Sequence, residues 1–325
     1  MKLLTIGEAL IVLDPQQQGP LGSVDNFRRH AGGAEVNVAV GLARLGCQVR
    51  WFGRLGEDPF GHYLYRLLRG EGVEVEHIQF DIQAPTGLYI KERRTSKKIN
   101  SYYYRAYSAA SLLKPELLPE NILEGIDYLH LTGITPALSP SCLDATFVLA
   151  QKAREEGISI SFDPNLRLKL WDLPTARKVL TRLATLSNLV LPGLEEGRLL
   201  WGDEIGWDES WQSQEAATYL GKYILSLGAD QVVVKLGEDG AMLVEKEGSS
   251  FFSAFDVEPV DVVGAGDGFA AGLLSGLLQN KPIAEAIEYA QAVAAFVISS
   301  PGDLEGLPTQ AELQVFLGRE QGVER

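Results

Sequence analysis

The stretch DVVGAGDGFAAGLLSGLL, residues 261–278, holds three glycines and an aspartate within five residues and then runs into an apolar segment. The apolar segment predicts a buried helix, and Gly264 to Asp267 are expected to form the turn at its N-terminus. Unpaired backbone N–H groups and the positive end of the helix dipole bind anions at such a place, and glycine lets the main chain approach a phosphate closely. We therefore predict an anion site at Gly264, Ala265 and Gly266.

Asp267 is unexpected in an anion site unless it takes part in chemistry. A carboxylate repels an anionic ligand, but it can accept the proton of an attacking hydroxyl while the neighbouring amides hold the developing charge. That combination is typical of phosphoryl transfer to an alcohol. Two alternatives stay open: Asp267 as a helix cap with the glycines in a tight turn, and a dinucleotide site, although the third glycine of the usual fingerprint is missing. The chain has no G-x-x-x-x-G-K-[ST] sequence, which argues against a P-loop kinase.

Composition and charge narrow the class of protein. With 325 residues, 46% of them hydrophobic, the chain can bury a large core. Its formal charge of -14 argues against nonspecific binding to nucleic acid or to anionic membranes. No uninterrupted apolar run reaches the roughly 18 residues of a membrane span, and Cys47 and Cys142 lack metal-ligand spacing. A cytoplasmic protein is expected, with neither nucleic acid nor membrane as a partner.

Short apolar runs alternate with helical segments along most of the chain. The predicted helices include 34–46, closed by Gly46, and 58–72, with Pro59 near its start. The predicted strands are 2–13, 49–56, 126–133, 158–165, 187–193 and 231–237. This alternation predicts an α/β fold with a mostly parallel sheet covered by helices on both faces.

Residues 86–107, TGLYIKERRTSKKINSYYYRAY, break the alternation with two β-rich runs joined by a basic turn. We predict an antiparallel hairpin that joins the extended N-terminal stretch in a small β-sheet, built from about 14–31 and 83–107. Its basic cluster is expected to be a solvated tip and consists of Arg93, Arg94, Lys97 and Lys98. No repeat or long linker is visible, so a single domain over 1–325 is expected.

Two segments carry a resemblance to a known family. Residues 261–272, DVVGAGDGFAAG, resemble the C-terminal signature of the ribokinase (PfkB) family of sugar kinases, and residues 31–46, AGGAEVNVAVGLARLG, resemble its N-terminal Gly-Gly signature. The resemblance implies a ribokinase-like three-layer α/β/α sandwich with a β-sheet lid over the sugar. It further implies ATP-dependent phosphorylation of a sugar hydroxyl with Mg²⁺, a monovalent cation in some members, and a homo-oligomer in which lid sheets pair.

The same resemblance assigns the phosphate side of the site. Asp267 becomes the catalytic base, and Gly264, Ala265 and Gly266 become the anion hole. Residues 232–244, VVVKLGEDGAMLV, resemble the nucleotide-binding turn of the family, with a plain strand-turn-strand hairpin as the alternative. The residues implied near ATP are Lys235, Gly237, Gly240 and Gln291, the last of which is equally explained as an exposed residue on an amphipathic helix.

One segment departs from the family. Many members carry Asn-x-x-Glu after a central strand, whereas LVLPGLEEGRLL, residues 189–200, has Gly193 in place of the asparagine and retains Glu196. Gly193 can then offer ATP only a backbone contact. The resemblance implies that Glu196 orients metal-bound water, while its position in the first turn of a helix is also favourable for the dipole alone.

The acceptor is predicted to be a sugar acid. Gly33 and Asn37 match the family's contacts to sugar hydroxyls, although Asn37 is also explained as a polar residue at a helix N-terminus. Arg105 and Arg167 point to a carboxylate, because guanidinium groups bind carboxylates bidentately. A neutral sugar would instead need hydrogen-bonding groups of both kinds.

Four segments, 102–111, 129–140, 161–171 and 301–306, are similar to the 2-keto-3-deoxygluconate kinase branch of the family. The resemblance places Asn165 between substrate and phosphates, and it implies substrate contacts by Tyr89, Tyr103, Arg105, Arg167 and Asp303. Cross-strand packing of the tyrosines, a structural ion pair of Arg167 and a turn at Asp303 are the alternatives.

The resemblance implies phosphorylation of the terminal hydroxyl of 2-keto-3-deoxygluconate, or of its galactonate epimer, with Asp267 as general base. A fructokinase or ribokinase of the same fold would accept neutral sugars and depend little on the two arginines. A non-catalytic sensor on the same fold is a third possibility, and an intact Gly264–Asp267 turn argues against it.

Overall fold

The computed structural model describes residues 1–95 and 99–319. Its strands, in chain order, are β1 (Lys2–Ile6), β2 (Leu10–Pro15), β3 (Phe27–Gly32), β4 (Gln48–Phe52), β5 (Arg54–Gly56), β6 (Gln79–Asp81), β7 (Leu88–Arg93), β8 (Ile99–Tyr104), β9 (Tyr128–Thr132), β10 (Ser159–Asp163), β11 (Leu189–Val190), β12 (Gln231–Lys235), β13 (Gly240–Glu245) and β14 (Gly248–Ser253). Its helices are α1 (Ala34–Arg44), α2 (Pro59–Gly70), α3 (Ile134–Ala137), α4 (Pro140–Glu155), α5 (Leu173–Leu186), α6 (Leu194–Ile205), α7 (Ser213–Ser226), α8 (Ala265–Leu278), α9 (Ile283–Ile298) and α10 (Gln310–Phe316).

A large eight-stranded sheet with the order β14-β13-β12-β11-β10-β9-β1-β4 forms the centre of the molecule. The strands from β12 to β4 in that order run parallel, and β13 and β14 run antiparallel at one edge. One apolar core packs α1, α2, α8 and α9 on one face, and a second packs α4 to α7 on the other. The predicted three-layer α/β fold is therefore confirmed.

Two of the predicted strands are each divided into two strands in the structure, so the prediction of single strands there is wrong. Residues 2–13 divide into β1 in the large sheet and β2 in a smaller one, and residues 49–56 divide into β4 and β5. A Cβ atom at Gly7 would lie 2.3 Å from the Glu35 carboxyl carbon, so the chain passes α1 closely where it leaves the large sheet. The apolar pattern continues through this change of direction and therefore gives no sign of it.

A four-stranded sheet, here called the small sheet, has the order β3-β2-β7-β8. Its strands β7 and β8 pair antiparallel from Leu88 opposite Tyr104 to Arg93 opposite Ile99, which confirms the predicted hairpin. Arg93 is not part of a solvated tip, because β7 extends through it and its guanidinium binds Asp14 at 2.9 and 2.8 Å. Arg94 is exposed as predicted, and Lys97 and Lys98 lie outside the described residues.

Helix α8 packs against α9 with little between the two main chains. A Cβ atom at Gly272 would lie 2.7 Å from Ala290 Cα, and one at Gly276 would lie 2.6 Å from Ala286 Cα. These glycines therefore permit a close backbone contact that any larger residue would separate. Their packing fixes the helix whose first turn contains Asp267.

In the part of the chain that the structure describes, none of the helices combines the length and the apolar character needed to cross a bilayer.

Candidate active site

A cavity of about 110 Å³ lies between the carboxyl edge of the large sheet and the small sheet. Such an edge is where parallel α/β sheets usually bind ligands. The cavity is lined by all eight residues predicted to touch the acceptor, namely Gly33, Asn37, Tyr89, Tyr103, Arg105, Arg167, Asp267 and Asp303. It is also lined by two buried acids that the sequence did not single out, Glu8 and Glu35.

Asp267 lies in the first turn of α8 and faces this cavity. Its Oδ2 accepts a hydrogen bond of 2.7 Å from Asn37 Nδ2, and its Oδ1 is 3.5 Å from Asn165 Nδ2. Gly264, not Asp267, occupies the N-cap position, in a left-handed conformation with φ of 82°. The capping alternative for Asp267 is therefore wrong, and its carboxylate is directed at polar partners outside its own helix.

The electrostatic surroundings of Asp267 suit a proton acceptor. Burial raises its pKa to about 6, against the hydrogen bond from Asn37, which lowers it. The negative charges of Asp163 and Asp303 raise the pKa further. A carboxylate with this pKa is ionised at neutral pH and holds a transferred proton better than an exposed aspartate does.

The predicted anion hole has a cation beside it. The first amide of α8, that of Ala265, makes only a long hydrogen bond of 3.4 Å to the Val262 carbonyl. The Lys235 ammonium lies 3.6 Å from the position of a Cβ atom at Gly266. Lys235 Nζ is 2.6 Å from Asp163 Oδ2. Burial lowers the pKa of Lys235, but the adjacent Asp163 carboxylate raises it above the usual value. Lys235 thus adds a fixed positive charge to the amides of this turn.

Asn165 takes a backbone conformation that Glu196 supports. Its φ is 42°, a left-handed value that asparagine tolerates better than most residues. Glu196 accepts hydrogen bonds from the backbone N–H of Leu166 and, at 3.1 Å, from that of Gly193. The carboxylate therefore joins the segment after β10 to the start of α6. Its suggested contact to metal-bound water stays a prediction, as does the backbone contact of Gly193 to ATP.

Replacing Glu196 by glutamine tests this structural role. The amide keeps one acceptor and turns an N–H₂ group toward a backbone N–H, so we expect the free energy of unfolding to fall by about 1–3 kcal/mol. Urea denaturation measures it, with Glu195→Gln, on the exposed side of the same turn, as the matched control. Equal stability of the two variants would show that Glu196 does not hold this segment.

The two predicted arginines have different surroundings. Arg105 is buried and forms an ion pair with Glu8, which is 1% exposed and also accepts a hydrogen bond of 2.9 Å from Ser108. Arg167 is exposed and donates only to the carbonyl of Leu166, at 3.2 Å, among the described residues. The structural ion pair suggested for Arg167 is therefore absent from the described part of the chain. Arg167 is the uncommitted guanidinium at the cavity.

Tyr89 and Tyr103 are cross-strand partners with ring centroids 5.1 Å apart, so the packing alternative holds while both also line the cavity. The Tyr89 hydroxyl donates to Asp303 Oδ2 at 3.2 Å, and Lys91 Nζ is 3.3 Å from Asp303 Oδ1. Asp303 follows Gly302, which has a φ of 101°, so the predicted turn is present as well. Its carboxylate nevertheless faces the small sheet.

A groove of about 550 Å³ between β14 and α9 contains Gln291. This residue is 6% exposed and its Nε2 donates to the Phe252 carbonyl at 3.3 Å, so the exposed alternative is wrong. Gly240 packs against the main chain of Phe252, and Gly237 lies in the turn between β12 and β13, which form the hairpin proposed as the plain alternative. The groove is lined by aromatic side chains and one buried amide, a composition common in small-molecule sites.

The described residues offer no group of three or more histidine, cysteine, aspartate or glutamate side chains that could enclose a metal. Asp163 is held by Lys235 and by the backbone N–H of Asn165, at 3.1 Å. Both oxygens of Glu196 accept backbone N–H groups. Side chains of this region therefore do not form a ready cage for Mg²⁺, which commonly keeps water and phosphate ligands in nucleotide sites.

Sequence reasoning missed Glu8, Glu35, Lys91 and Asp163. Glu8 and Asp163 could have been found, since each lies at or just after the carboxyl end of a parallel strand. Lys91 is two residues from Tyr89 on the same strand and so shares its face. Glu35 has no comparable signal: its carboxylate accepts from Thr132 and, at 2.7 Å, from Thr135, contacts that only the fold creates.

Comparison with known proteins identifies the family of the chain. Residues 1–310 match the pfkB family carbohydrate kinases. The chain is 37% identical to a 2-dehydro-3-deoxygluconokinase of Bacillus subtilis, over 99% of this chain and 98% of that one. It is 31% identical to a 2-dehydro-3-deoxygalactonokinase of Haloferax volcanii, over 100% and 99% of the two chains.

A PfkB protein from Polaromonas sp. JS666, known from its crystal structure, has the same fold with a TM-score of 0.85 and 37% identity, covering 96% of this chain and 99% of that one. The match to the family and to these relatives spans nearly the whole chain, including both signature segments and the cavity between them. The chain belongs to the pfkB family of carbohydrate kinases.

Proposed function

We propose that this carbohydrate kinase transfers the γ-phosphoryl group of ATP to the terminal hydroxyl of 2-keto-3-deoxygluconate, giving 2-keto-3-deoxy-6-phosphogluconate. The observation that carries the proposal is the single cavity in which the tyrosines and arginines predicted for a sugar acid meet Asp267. The uncommitted guanidinium of Arg167 favours an anionic acceptor. The similarity to a 2-dehydro-3-deoxygluconokinase supports the same acceptor.

In the proposed reaction the acceptor carboxylate binds Arg167, with the buried Arg105 next to it, and the terminal hydroxyl faces Asp267. The Asp267 carboxylate accepts the hydroxyl proton as the oxygen–phosphorus bond forms and the bond to the β,γ-bridging oxygen breaks, releasing ADP. Amides of Gly264 to Gly266 and the Lys235 ammonium balance the charge of the transferring group. Asn37 and Asn165 hold the carboxylate of Asp267 in position.

We assign the adenine of ATP to the groove that contains Gln291 and its phosphates to the Gly264 turn. When bound, Mg²⁺ neutralises phosphate charge, and its ligands in this proposal are phosphate oxygens and water. Activation by a monovalent cation is a further part of the proposal.

We propose that the small sheet acts as a lid on a single domain over 1–325. The sheet includes β2, which begins at Leu10, so the lid starts earlier than the predicted bound of about 14. Closure over the acceptor would exclude water, which competes for the phosphoryl group. Among the described residues β8 is the outer strand of this sheet, with Tyr102 and Tyr104 exposed by 44% and 61%, which supports a homo-oligomer through this sheet. Free thiols at Cys47 and Cys142 agree with the reducing cytoplasm proposed as its location.

A coupled ADP-release assay tests the substrate. With Mg-ATP, we expect kcat/KM for 2-keto-3-deoxygluconate or its galactonate epimer to exceed that for fructose and ribose by at least about tenfold. A preference for fructose or ribose would refute the sugar acid and favour the neutral-sugar kinase. Release of ADP with none of these sugars would refute all of these acceptors.

A further inference from the structure

Strand β7 directs three polar side chains, Tyr89, Lys91 and Arg93, to the main body of the protein. They are alternate residues, and alternate residues of a strand share one face. The face they share meets two acids on the main body, Asp261 and Asp303.

Lys91 is buried and faces Asp303. It is 2% exposed, Asp303 is 6% exposed, and their charged atoms are 3.3 Å apart. Burial raises the pKa of Asp303 and the positive charge of Lys91 lowers it, while Asp261 adds to the rise and Tyr89 opposes it by its hydrogen bond. Removing Lys91 would leave a buried carboxylate without its only cationic partner among the described residues, which favours protonation.

Arg93 faces Asp261. Its guanidinium is held by Asp14, and its Nη2 lies 3.7 Å from Asp261 Oδ2. This oxygen is buried and has no hydrogen-bond partner among the described residues. Arg93 is therefore the cation that compensates the charge of Asp261.

The two acids flank the Gly264 turn. Asp261 Oδ1 accepts the backbone N–H of Val263 at 3.1 Å, one residue before the turn. The carbonyl oxygen of Asp303 lies 3.2 Å from the position of a Cβ atom at Gly264. Asp261 thus contacts the segment before the turn through Oδ1 and Arg93 through Oδ2. Asp303 contacts the turn through its backbone carbonyl and Lys91 through its carboxylate.

We propose that Lys91 and Arg93 are positioning residues that couple the small sheet to the site of phosphoryl transfer, Lys91 by orienting Asp303 toward the acceptor and Arg93 by holding Asp261 and the Gly264 turn. The proposal rests on the assignment of this turn and cavity to the kinase reaction. It assigns separate effects to the two cations, because Asp303 lines the acceptor cavity and Asp261 does not appear in its lining.

The test compares steady-state kinetics of Lys91→Met and Arg93→Met with those of Arg94→Met, which removes an exposed charge of the same segment. We expect Lys91→Met to raise the KM of the sugar about tenfold, since a charge-assisted contact is weakened, and to leave the KM of ATP within about twofold. We expect Arg93→Met to lower kcat about tenfold with the sugar KM within about twofold. Arg94→Met should match the parent.

The pH dependence of the sugar KM distinguishes a positioning role of Lys91 from a loss of folded protein. In Lys91→Met the sugar KM should fall as the pH rises, because burial raises the pKa of Asp303, the loss of the Lys91 charge raises it further, and higher pH restores the ionised carboxylate. Lys91→Gln, which keeps most of the packing, should show the same trend, and Lys91→Arg, which keeps a cation beside Asp303, should have a sugar KM closer to that of the parent than Lys91→Met has. Arg93→Lys keeps the charge but loses the two-point contact with Asp14, so its kcat should lie between those of the parent and Arg93→Met.

The proposal is overturned if Lys91→Met and Arg93→Met behave like Arg94→Met. It is equally overturned if both only lose kcat, in proportion to the folded fraction and with KM independent of pH. The assay uses whichever sugar the parent phosphorylates best. A parent that prefers fructose therefore refutes the sugar-acid acceptor and still allows the KM and kcat effects to be measured.

Discussion

Asp267→Asn is expected to lower kcat by about 10³-fold while the KM values of sugar and ATP change by less than about threefold. The asparagine keeps the size of the side chain and can still accept the hydrogen bond from Asn37, but it cannot take the proton of the acceptor hydroxyl. Rapid-quench measurement of phosphoryl transfer checks the chemical step directly. Asp144→Asn, an exposed change on α4, is the control, and near-normal turnover of Asp267→Asn would refute the general-base role.

The pH dependence of the parent belongs to the same prediction. Because the pKa of Asp267 is about 6 and the base acts in its ionised form, kcat/KM should rise with pH and level off above about 7. Burial also raises the pKa of Glu35 to about 6. The pH profile of kcat/KM for Glu35→Gln is therefore needed to assign the rise with pH to Asp267. The Tm of Asp267→Asn at neutral pH should equal or exceed that of the parent, because a buried charge is removed. A lower Tm would mean that lost turnover reflects lost structure.

Arg167→Met is expected to lower kcat/KM for the sugar acid by about 10- to 100-fold and to leave that for a neutral sugar unchanged within about twofold. Arg167 makes no ion pair with the described residues, so its loss should not disturb the fold. Its positive charge lowers the pKa of Asp267, so the two sugars are compared at a pH where Asp267 is ionised in both enzymes. The ratio of kcat/KM for 2-keto-3-deoxygluconate to that for fructose measures the effect.

Two further variants make the Arg167 result specific. Arg105→Met should reduce activity with acid and neutral sugars alike, because it leaves the buried Glu8 unpaired. Arg154→Met, an exposed change at the end of α4, should change neither. An Arg167→Met enzyme that keeps its preference for the acid would place carboxylate recognition elsewhere in the cavity.

The fold could be predicted from the sequence because its main signals are local. Apolar runs alternating with helical segments define a parallel sheet with two covered faces, and each central strand lies where its run predicts. The prediction was wrong for residues 2–13, since a continuous apolar run is compatible both with one strand and with two that belong to different sheets. An apolar pattern indicates which residues are buried, but it does not indicate where the chain changes direction between two sheets.

The grouping of the candidate site residues in one cavity could be predicted from the sequence, but the ion pairs among them could not. The eight predicted acceptor residues line one cavity, which the spacing of signature segments in a parallel fold allows one to expect. The ion pairs could not be predicted from the sequence. Glu8 pairs with Arg105, Lys91 with Asp303, and Arg93 with Asp14. These pairs join residues distant in the chain, and a count of arginines in the sequence cannot tell which of them is free.

The backbone contact between α8 and α9 fixes the position of Asp267 independently of the cavity-lining residues on other elements. Gly272 and Gly276 place the main chain of α8 against that of α9, and a larger residue at either position would separate the helices and displace the turn that contains Asp267. The residues that line the cavity from the small sheet and from the segment after β10 are attached to other elements. A descendant of this enzyme can therefore change those surfaces and keep Asp267 in place.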